Sequence, residues 1–111
     1  MDTKQPDVKL IISPEAVLEL YAIWLWNAKD KGVRHADAYL AFLDKRIDGL
    51  RKSHAKGRPI SGHPSLRYIL IKRRSGGHGH IAVYSSTDKD IVVAHVFHTS
   101  QDWQSKLFDS K

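Results

Sequence analysis

Apolar positions change their spacing from one segment of the chain to the next, and the spacing predicts the element. Residues 8–12 form a short apolar run that predicts a first strand, and helical spacing follows from Pro14 to about Lys29. Ser13 and Pro14 mark the start of this helix, because an N-cap serine accepts a hydrogen bond from an unpaired backbone N–H and proline suits the first turn. The apolar stripe is too broad for an isolated surface helix, so we expect it to pack on other elements.

A second helix is predicted from Arg34 to about Lys52. Gly32 lies between the two helices and is able to end the first one in a left-handed conformation. Two helices joined by so short a link form an antiparallel hairpin. The apolar residues that recur at helical spacing in the second helix are Ala36, Leu40, Leu43, Ile47 and Leu50.

The segment after the hairpin predicts a loop and then a further strand. Residues 53–65 are rich in Gly, Pro, Ser and His, and the prolines at 59 and 64 interrupt both helices and strand ladders. Residues 66–73 have the composition of a strand, and residues 74–79 form a glycine-rich turn. We therefore expect one strand between this loop and this turn.

The stretch 80–98 contains two strand-like runs around a polar turn at 86–90. Residues 91–97 are apolar at both odd and even positions, apart from His95. A strand with two apolar faces lies inside a sheet that is covered on both sides. We therefore expect this last strand at the centre of the sheet, where it brings His95 and His98 towards a ligand or partner.

These elements predict an α+β fold with the order β-α-α-β-β-β, in which a helical hairpin covers one face of a small, mainly antiparallel sheet. The spacing of Trp103, Leu107 and Phe108 adds a short C-terminal helix, with Ser100 as its cap. A chain of 111 residues suffices for one core, so residues 8–111 are expected to form a single domain behind a disordered or extended tail at 1–7.

Composition indicates the cellular location of the protein and the charge of its binding partners. The chain has no cysteine, no run of apolar residues long enough to cross a membrane and no signal peptide, so a cytoplasmic protein is expected. Eighteen Lys and Arg against twelve Asp and Glu give a net charge of +6. This excess favours an acidic partner, either nucleic acid or protein, although it also serves solubility.

Histidine is frequent, but the pattern does not predict a metal site or a cofactor. No carboxylate stands at a recognisable ligand spacing, and the chain lacks a phosphate-binding loop and a dinucleotide-binding motif. The histidines considered as ligands are His63, His78, His80, His95 and His98.

A basic and aromatic group of residues suggests contact with a phosphate backbone or an acidic protein. Cleavage of RNA by its own 2′-hydroxyl needs a base, an acid and positive charge on the phosphate, and Tyr, His and Arg supply these. The spacing does not distinguish this chemistry from a basic rim that binds an acidic protein. The residues are Arg67, Lys72, Arg73, Arg74, Tyr84, His95 and His98.

Several motifs, taken in order, resemble those of the RelE/ParE family of bacterial toxins. The resemblance covers about residues 8–103 and extends from the first helix to the end of the last strand. Its motifs are Ser13-Pro14-Glu15-Ala16, Ala36-Asp37-Ala38-Tyr39-Leu40, Gly57-Arg58-Pro59, Leu66-Arg67, Tyr84, and Val96-Phe97-His98 followed by Asp102.

The resemblance implies a toxin that is neutralised by a small antitoxin encoded beside it. Members of the ParE branch inhibit DNA gyrase, whereas members of the RelE branch cut mRNA on the ribosome. The long helical hairpin and the Ala-Asp-x-Tyr-Leu segment favour the ParE branch. The leading hypothesis is therefore a gyrase inhibitor without chemistry or cofactor of its own, whose target-binding residues are Arg67, Arg73, Arg74, His95 and Trp103.

Two alternatives remain open at this stage. In a RelE-like ribonuclease, which would act on the ribosome and mRNA, the resemblance makes His98, Tyr84 and Arg67 the catalytic residues. The third possibility is an inactive binding module that keeps the toxin fold.

Overall fold

Five strands make up one sheet in the computed structural model, which describes residues 8–73 and 78–109. The sheet order is β1-β5-β4-β3-β2, with β1 parallel to β5 and every other pair antiparallel. The tail predicted at 1–7 and residues 74–77 of the predicted turn lie outside the described residues. The strands are β1 (Lys9–Ile12), β2 (Arg58–Ile60), β3 (His63–Ile71), β4 (His80–Ser86) and β5 (Asp90–His98).

The predicted helical hairpin is confirmed. It consists of α1 (Pro14–Lys31) and α2 (Val33–Asp48), and Gly32 alone joins them with a φ of 96°, which side chains rarely tolerate. At the start of α1, the Ser13 hydroxyl accepts a hydrogen bond of 3.0 Å from the Ala16 N–H. The remaining helical segments are α3 (Leu50–Ser53), a 3₁₀ turn (His54–Lys56) and α4 (Trp103–Asp109).

The core has two layers, one on each face of the sheet. On the hairpin face, Leu43 and Ile47 of α2 pack against residues of β4 and β5 that include Tyr84 and Val93. On the opposite face, which we call the α4 face, Trp103 and Leu107 cover Ile81, Val83 and Phe97. Because both faces are covered, β5 carries apolar residues at odd and even positions, as its sequence indicates.

The α+β class is confirmed, but the sheet differs from the prediction in its centre, in one additional strand and in the limits of β3, which covers His63–Ile71 instead of 66–73. The central strand is β4, with β5 beside it, because β1 extends the sheet beyond β5. The segment 58–60, predicted as loop, forms β2 at the outer edge, where a strand tolerates Pro59 since its missing N–H faces away from the ladder.

Two helix ends also differ from their predicted positions. The second helix stops at Asp48, and α3 continues as a separate turn after Gly49. The C-terminal helix begins at Trp103, and the Ser100 hydroxyl lies 2.6 Å from His98 Nδ1 instead of capping the helix. Within the described residues, no helix is long and apolar enough to cross a membrane.

The first turns of α1 complete the edge of β5 where β1 ends. β1 pairs with β5 as far as Ile12 and Val93, and a bulge then leaves Ala94 without a counterpart on β4. The Ser13 N–H donates to Val93 O (2.9 Å) and the Ser13 hydroxyl to Ala94 O (2.8 Å). Helix α1 thus takes the place of a longer β1.

Glu19, nearly two turns after Ser13 on α1, also provides hydrogen-bond acceptors to the edge of β5. Its Oε1 accepts a hydrogen bond of 2.8 Å from the Val96 N–H, and its Oε2 lies 3.0 Å from His95 Nδ1. Val96 is buried, so its N–H would have no solvent partner without this carboxylate.

Glu19→Ala is therefore expected to lower the free energy of unfolding by about 1–3 kcal/mol, the typical loss for an unpaired buried donor. Glu19→Gln should lose less, because its amide oxygen still accepts from Val96. Urea denaturation measures both, with the exposed Glu15→Gln on the same helix as control. Equal stability of the Ala and Gln variants would contradict this role for Glu19.

Candidate functional site

Arg67 and Tyr84 lie side by side on β3 and β4, at the end of the sheet near residues 54–57. The Tyr84 side chain is fully buried and its hydroxyl donates to the His54 carbonyl. The Arg67 guanidinium donates two hydrogen bonds of 3.0 Å, to the carbonyls of Ala55 and Gly57. Burial raises the pKa of Tyr84 above its ordinary value. Both side chains therefore hold the 54–57 segment against the sheet.

Three histidines meet at the opposite end of the same strands. His80 and His98 are cross-strand partners with ring centroids 5.1 Å apart, and the His78 ring lies 5.3 Å from His98. His80 Nδ1 is 2.6 Å from the Tyr39 hydroxyl. Burial, and to a lesser degree the neighbouring His98, lowers the pKa of His80 to about 4. The pKa of His98 is lowered by burial and by His78.

The three residues of the ribonuclease hypothesis are thus not brought together. Tyr84 and His80 are four residues apart on β4, which corresponds to about 13 Å along a strand, and His98 pairs with His80. Arg67 and Tyr84 meet, but in contacts with the backbone of another segment.

His95 and Trp103, two of the predicted target-binding residues, take part in packing. The His95 ring stacks on Phe97 at 4.9 Å and faces Glu19 of α1. Trp103 is 9% exposed, and its ring centroid lies 4.8 Å from that of Tyr68. These contacts anchor β5 to α1 and α4 to the sheet.

Arg73 lies at the surface beside a groove between α2 and β3. Its guanidinium carbon is 5.9 Å from the centroid of the Phe42 ring. We call this the hairpin-side groove; its volume is about 490 Å³. Arg74 lies outside the described residues. The groove is lined by Phe42, Lys45, Arg46, Gly49, Leu50, Ser53 and Ile69.

A second groove, of about 460 Å³, lies on the other face of β3 beside α4. We call it the α4-side groove. It combines basic side chains with the rings of Tyr68 and Trp103. Its lining includes Arg58, Leu70, Lys72, His78, Thr99 and Gln104. Both grooves have the basic and apolar character that suits an acidic macromolecule.

Helix α1 exposes apolar side chains on its outer surface, including Leu18 and Trp26, each 69% exposed. Trp24 links the two helices of the hairpin, since its ring N–H donates to Asp37 of α2 (2.8 Å). The other exposed apolar side chains of α1 are Val17, Tyr21 and Leu25.

Sequence reasoning missed Glu19 and the groove residues Lys45 and Arg46. Glu19 was detectable, because it stands three residues after Ala16 and four before Ile23, on the packing face of α1. Lys45 and Arg46 gave no signal, since nothing in the helical pattern shows that β3 lies beside them. Within residues 8–73 and 78–109, no group of three or more His, Asp or Glu side chains is arranged to hold a metal ion.

Comparisons with known proteins agree with this fold. Residues 10–103 match the family model described as the ParE toxin of a type II toxin–antitoxin system, parDE. A solved structure titled "Chromosomal ParDE TA system from P. aeruginosa" matches with a TM-score of 0.68 and 18% identity, over 81% of this chain and 94% of that chain. At this identity the likeness concerns the fold. No curated protein sequence matches.

A first prediction concerns the 54–57 segment. A Cβ at Gly57 would lie 2.8 Å from Tyr84 Cζ and closer still to its hydroxyl, so Gly57→Ala must displace the ring. We expect a loss of about 1–3 kcal/mol in unfolding free energy, as for overpacking in a core. Tyr84→Phe removes the atom nearest the new methyl group, so the double variant should lose less than the sum of the two single variants. Strict additivity in urea denaturation would contradict this packing.

A second prediction concerns pH. The folded state keeps His80 neutral down to a pKa of about 4, whereas the unfolded chain protonates it near 6.5. The unfolded state therefore binds more protons, and stability falls as the pH is lowered from 6.5 to 4, by about 3 kcal/mol at most. His80→Gln should flatten this dependence in urea titrations, whereas His35→Gln on α2 should retain it. Equal slopes for wild type and His80→Gln would show that His80 is not responsible.

Proposed function

Because the chain belongs to the ParE toxin family of type II toxin–antitoxin systems, we propose that it inhibits DNA gyrase by binding and is neutralised by a cognate antitoxin. The site of action would be the cytoplasm, where gyrase supercoils DNA. The mechanism requires no cofactor and no covalent step, so the toxin needs a surface rather than a catalytic centre.

One observation carries the preference for binding over RNA cleavage. Arg67 and Tyr84, which the ribonuclease hypothesis needs, are engaged with the backbone of residues 54–57, and the Tyr84 ring is buried. A general acid or base must reach the proton that it transfers. With Tyr84 inside the core and His98 at the far end of the strands, this arrangement favours a toxin that acts by contact.

The contact surface that we propose for gyrase is the basic rim around Arg73. Arg73 is exposed beside Phe42, and Lys45 and Arg46 line the groove next to it. Among the predicted target-binding residues within the described part of the chain, Arg67, His95 and Trp103 are tied into internal contacts. Arg73 is therefore the first of them to test as a direct contact.

The test is a DNA supercoiling assay with purified gyrase. Wild-type protein is expected to inhibit supercoiling at micromolar concentration, and Arg73→Glu should weaken inhibition about tenfold or more, because a like charge at an interface costs several kcal/mol. Lys29→Glu, at the C-terminal end of α1, serves as the matched charge-reversal control. Absence of inhibition by wild-type protein would refute the proposed target.

A translating extract tests the ribonuclease alternative in parallel. Transcripts are expected to stay intact with wild-type protein and with His98→Ala. Cleavage that depends on His98 would overturn the binding mechanism. A protein that leaves both gyrase and mRNA unaffected, yet still binds its antitoxin, would be the inactive binding module.

A further inference from the structure

The outer surface of α1 carries a row of exposed apolar side chains. Leu18, Ala22 and Leu25 follow one another at spacings of four and three residues, which places them on one face of the helix. All three are exposed, and Leu18 is 69% exposed. Ala16, which is fully buried, lies on the side of α1 that faces the core. We call Leu18, Ala22 and Leu25 the α1 stripe.

One charge of each sign closes the α1 stripe, at the same helical spacing. Glu15 stands three residues before Leu18, and Lys29 stands four residues after Leu25. Between these two charges, the one charged residue is Glu19, which is turned towards β5. Neither Glu15 nor Lys29 forms an ion pair with another described residue. The outer surface of α1 therefore has an acidic end, an apolar middle and a basic end.

This order of groups is complementary to itself when two copies of α1 lie antiparallel. A two-fold axis places each surface patch against the same patch of the second copy. An axis close to Ala22 brings Leu18 beside Leu25 of the second copy and Glu15 beside Lys29 of the second copy. The small Ala22 side chain permits close approach of the helices at the axis. In a parallel arrangement like charges would meet at both ends, so charge selects the antiparallel one.

Flanking side chains add apolar area to this contact. Val17 and Tyr21 border the stripe on one side and Trp26 on the other, and each is more than half exposed. With about 200 Å² for a large side chain in full exposure, these three residues together with Leu18 and Leu25 expose about 550 Å² per copy. Two copies would bury about 1,100 Å², close to the area of about 1,200 Å² at which stable, specific interfaces begin.

The aromatic side chains beside the stripe are held in place within the single chain. The Tyr21 ring centroid lies 6.4 Å from that of Trp24, with an angle of 14° between the ring planes. Trp24 is bonded in turn to Asp37 of α2. Side chains that are already fixed lose little freedom on association, which favours binding through an interface of this limited size.

We propose that the α1 stripe joins two copies of this chain in an antiparallel dimer with two-fold symmetry. From the area, we expect a dissociation constant on the order of 10 μM. Helix α1 contacts β5, whereas Arg73 follows β3, on the other side of β4. The dimer therefore leaves the basic rim around Arg73 accessible, and dimerisation is a property separate from gyrase inhibition.

Sedimentation equilibrium of the full chain tests the dimer directly. Wild-type protein is expected to change from monomer to dimer between about 1 and 100 μM. Leu18→Glu should raise the dissociation constant about tenfold or more, because it places a charge inside the apolar contact. The matched control is Val33→Glu, which should change the constant less than about twofold, since Val33 is 57% exposed but lies beyond the end of α1.

Two results of this experiment would overturn the proposal. The first is a wild-type protein that stays monomeric at about 100 μM, which would leave the stripe to a different partner such as the antitoxin. The second is an equal effect of Leu18→Glu and Val33→Glu on the dissociation constant.

Charge reversal at the two ends tests the antiparallel arrangement. Glu15→Lys and Lys29→Glu should each weaken dimerisation about fivefold or more, because each brings like charges together at both ends of the contact. The double variant exchanges the two signs and should restore the wild-type constant to within about twofold. An equal mixture of the two single variants should form mixed dimers, in which opposite charges meet at both ends. A double variant that stays as weak as the single variants would overturn this arrangement.

A disulfide trap locates the axis. The chain has no cysteine, so Ala22→Cys introduces a single thiol close to the proposed axis, where the thiols of two copies come within bonding reach. In air, this variant should form covalent dimers about five times faster or more than Ala38→Cys, a control at an exposed alanine of α2. Equal rates for the two variants would contradict an axis at Ala22.

Discussion

The fold depends on hydrogen bonds between α1 and the edge of β5. They pair the backbone groups of β5 that lie beyond the end of β1. β5 needs a neighbour on both sides, and β1 is long enough to serve only its first half. The backbone and side chain of Ser13 and the carboxylate of Glu19 take over from Val93 to Val96. Since Ser13 also caps α1, the same residue ends the strand pairing, starts the helix and fixes the helix on the sheet. This contact fixes the first half of α1 against the edge of β5.

Local rules were sufficient for the hairpin and for the class of the fold. Ser13, Pro14 and Gly32 each impose a backbone state that depends little on the rest of the molecule, so the limits of α1 were predictable. The short strand β2 was not predictable. A proline such as Pro59 fits a strand only at the edge of a sheet, and the local sequence does not show that residues 58–60 lie at the edge beside β3. The same reason explains the centre of the sheet: the parallel pairing of β1 with β5 joins segments about eighty residues apart, and no local pattern reports it.

The candidate site was predictable in composition and unpredictable in arrangement. Alternation along β3 and β4 predicts that Arg67 and Tyr84 share a face, but it does not show that residues 54–57 lie over them. Arg73 and Lys72 belonged to the predicted basic group, whereas Lys45 and Arg46 joined it through the packing of α2 on the sheet. The basic character of the surface thus comes from two distant segments, each ordinary by itself.

The parallel β1–β5 ladder also bears on how the molecule acquires its shape during synthesis. The hairpin is local and can form as soon as it leaves the ribosome, yet β4 and β5, which supply most of the buried strand residues beneath it, begin only at residue 80. Long-range pairings of this kind are slow to form, because the intervening chain must first lose its freedom. Until β4 and β5 have been synthesised, the nascent helices therefore lack most of the surface that buries their inner apolar face.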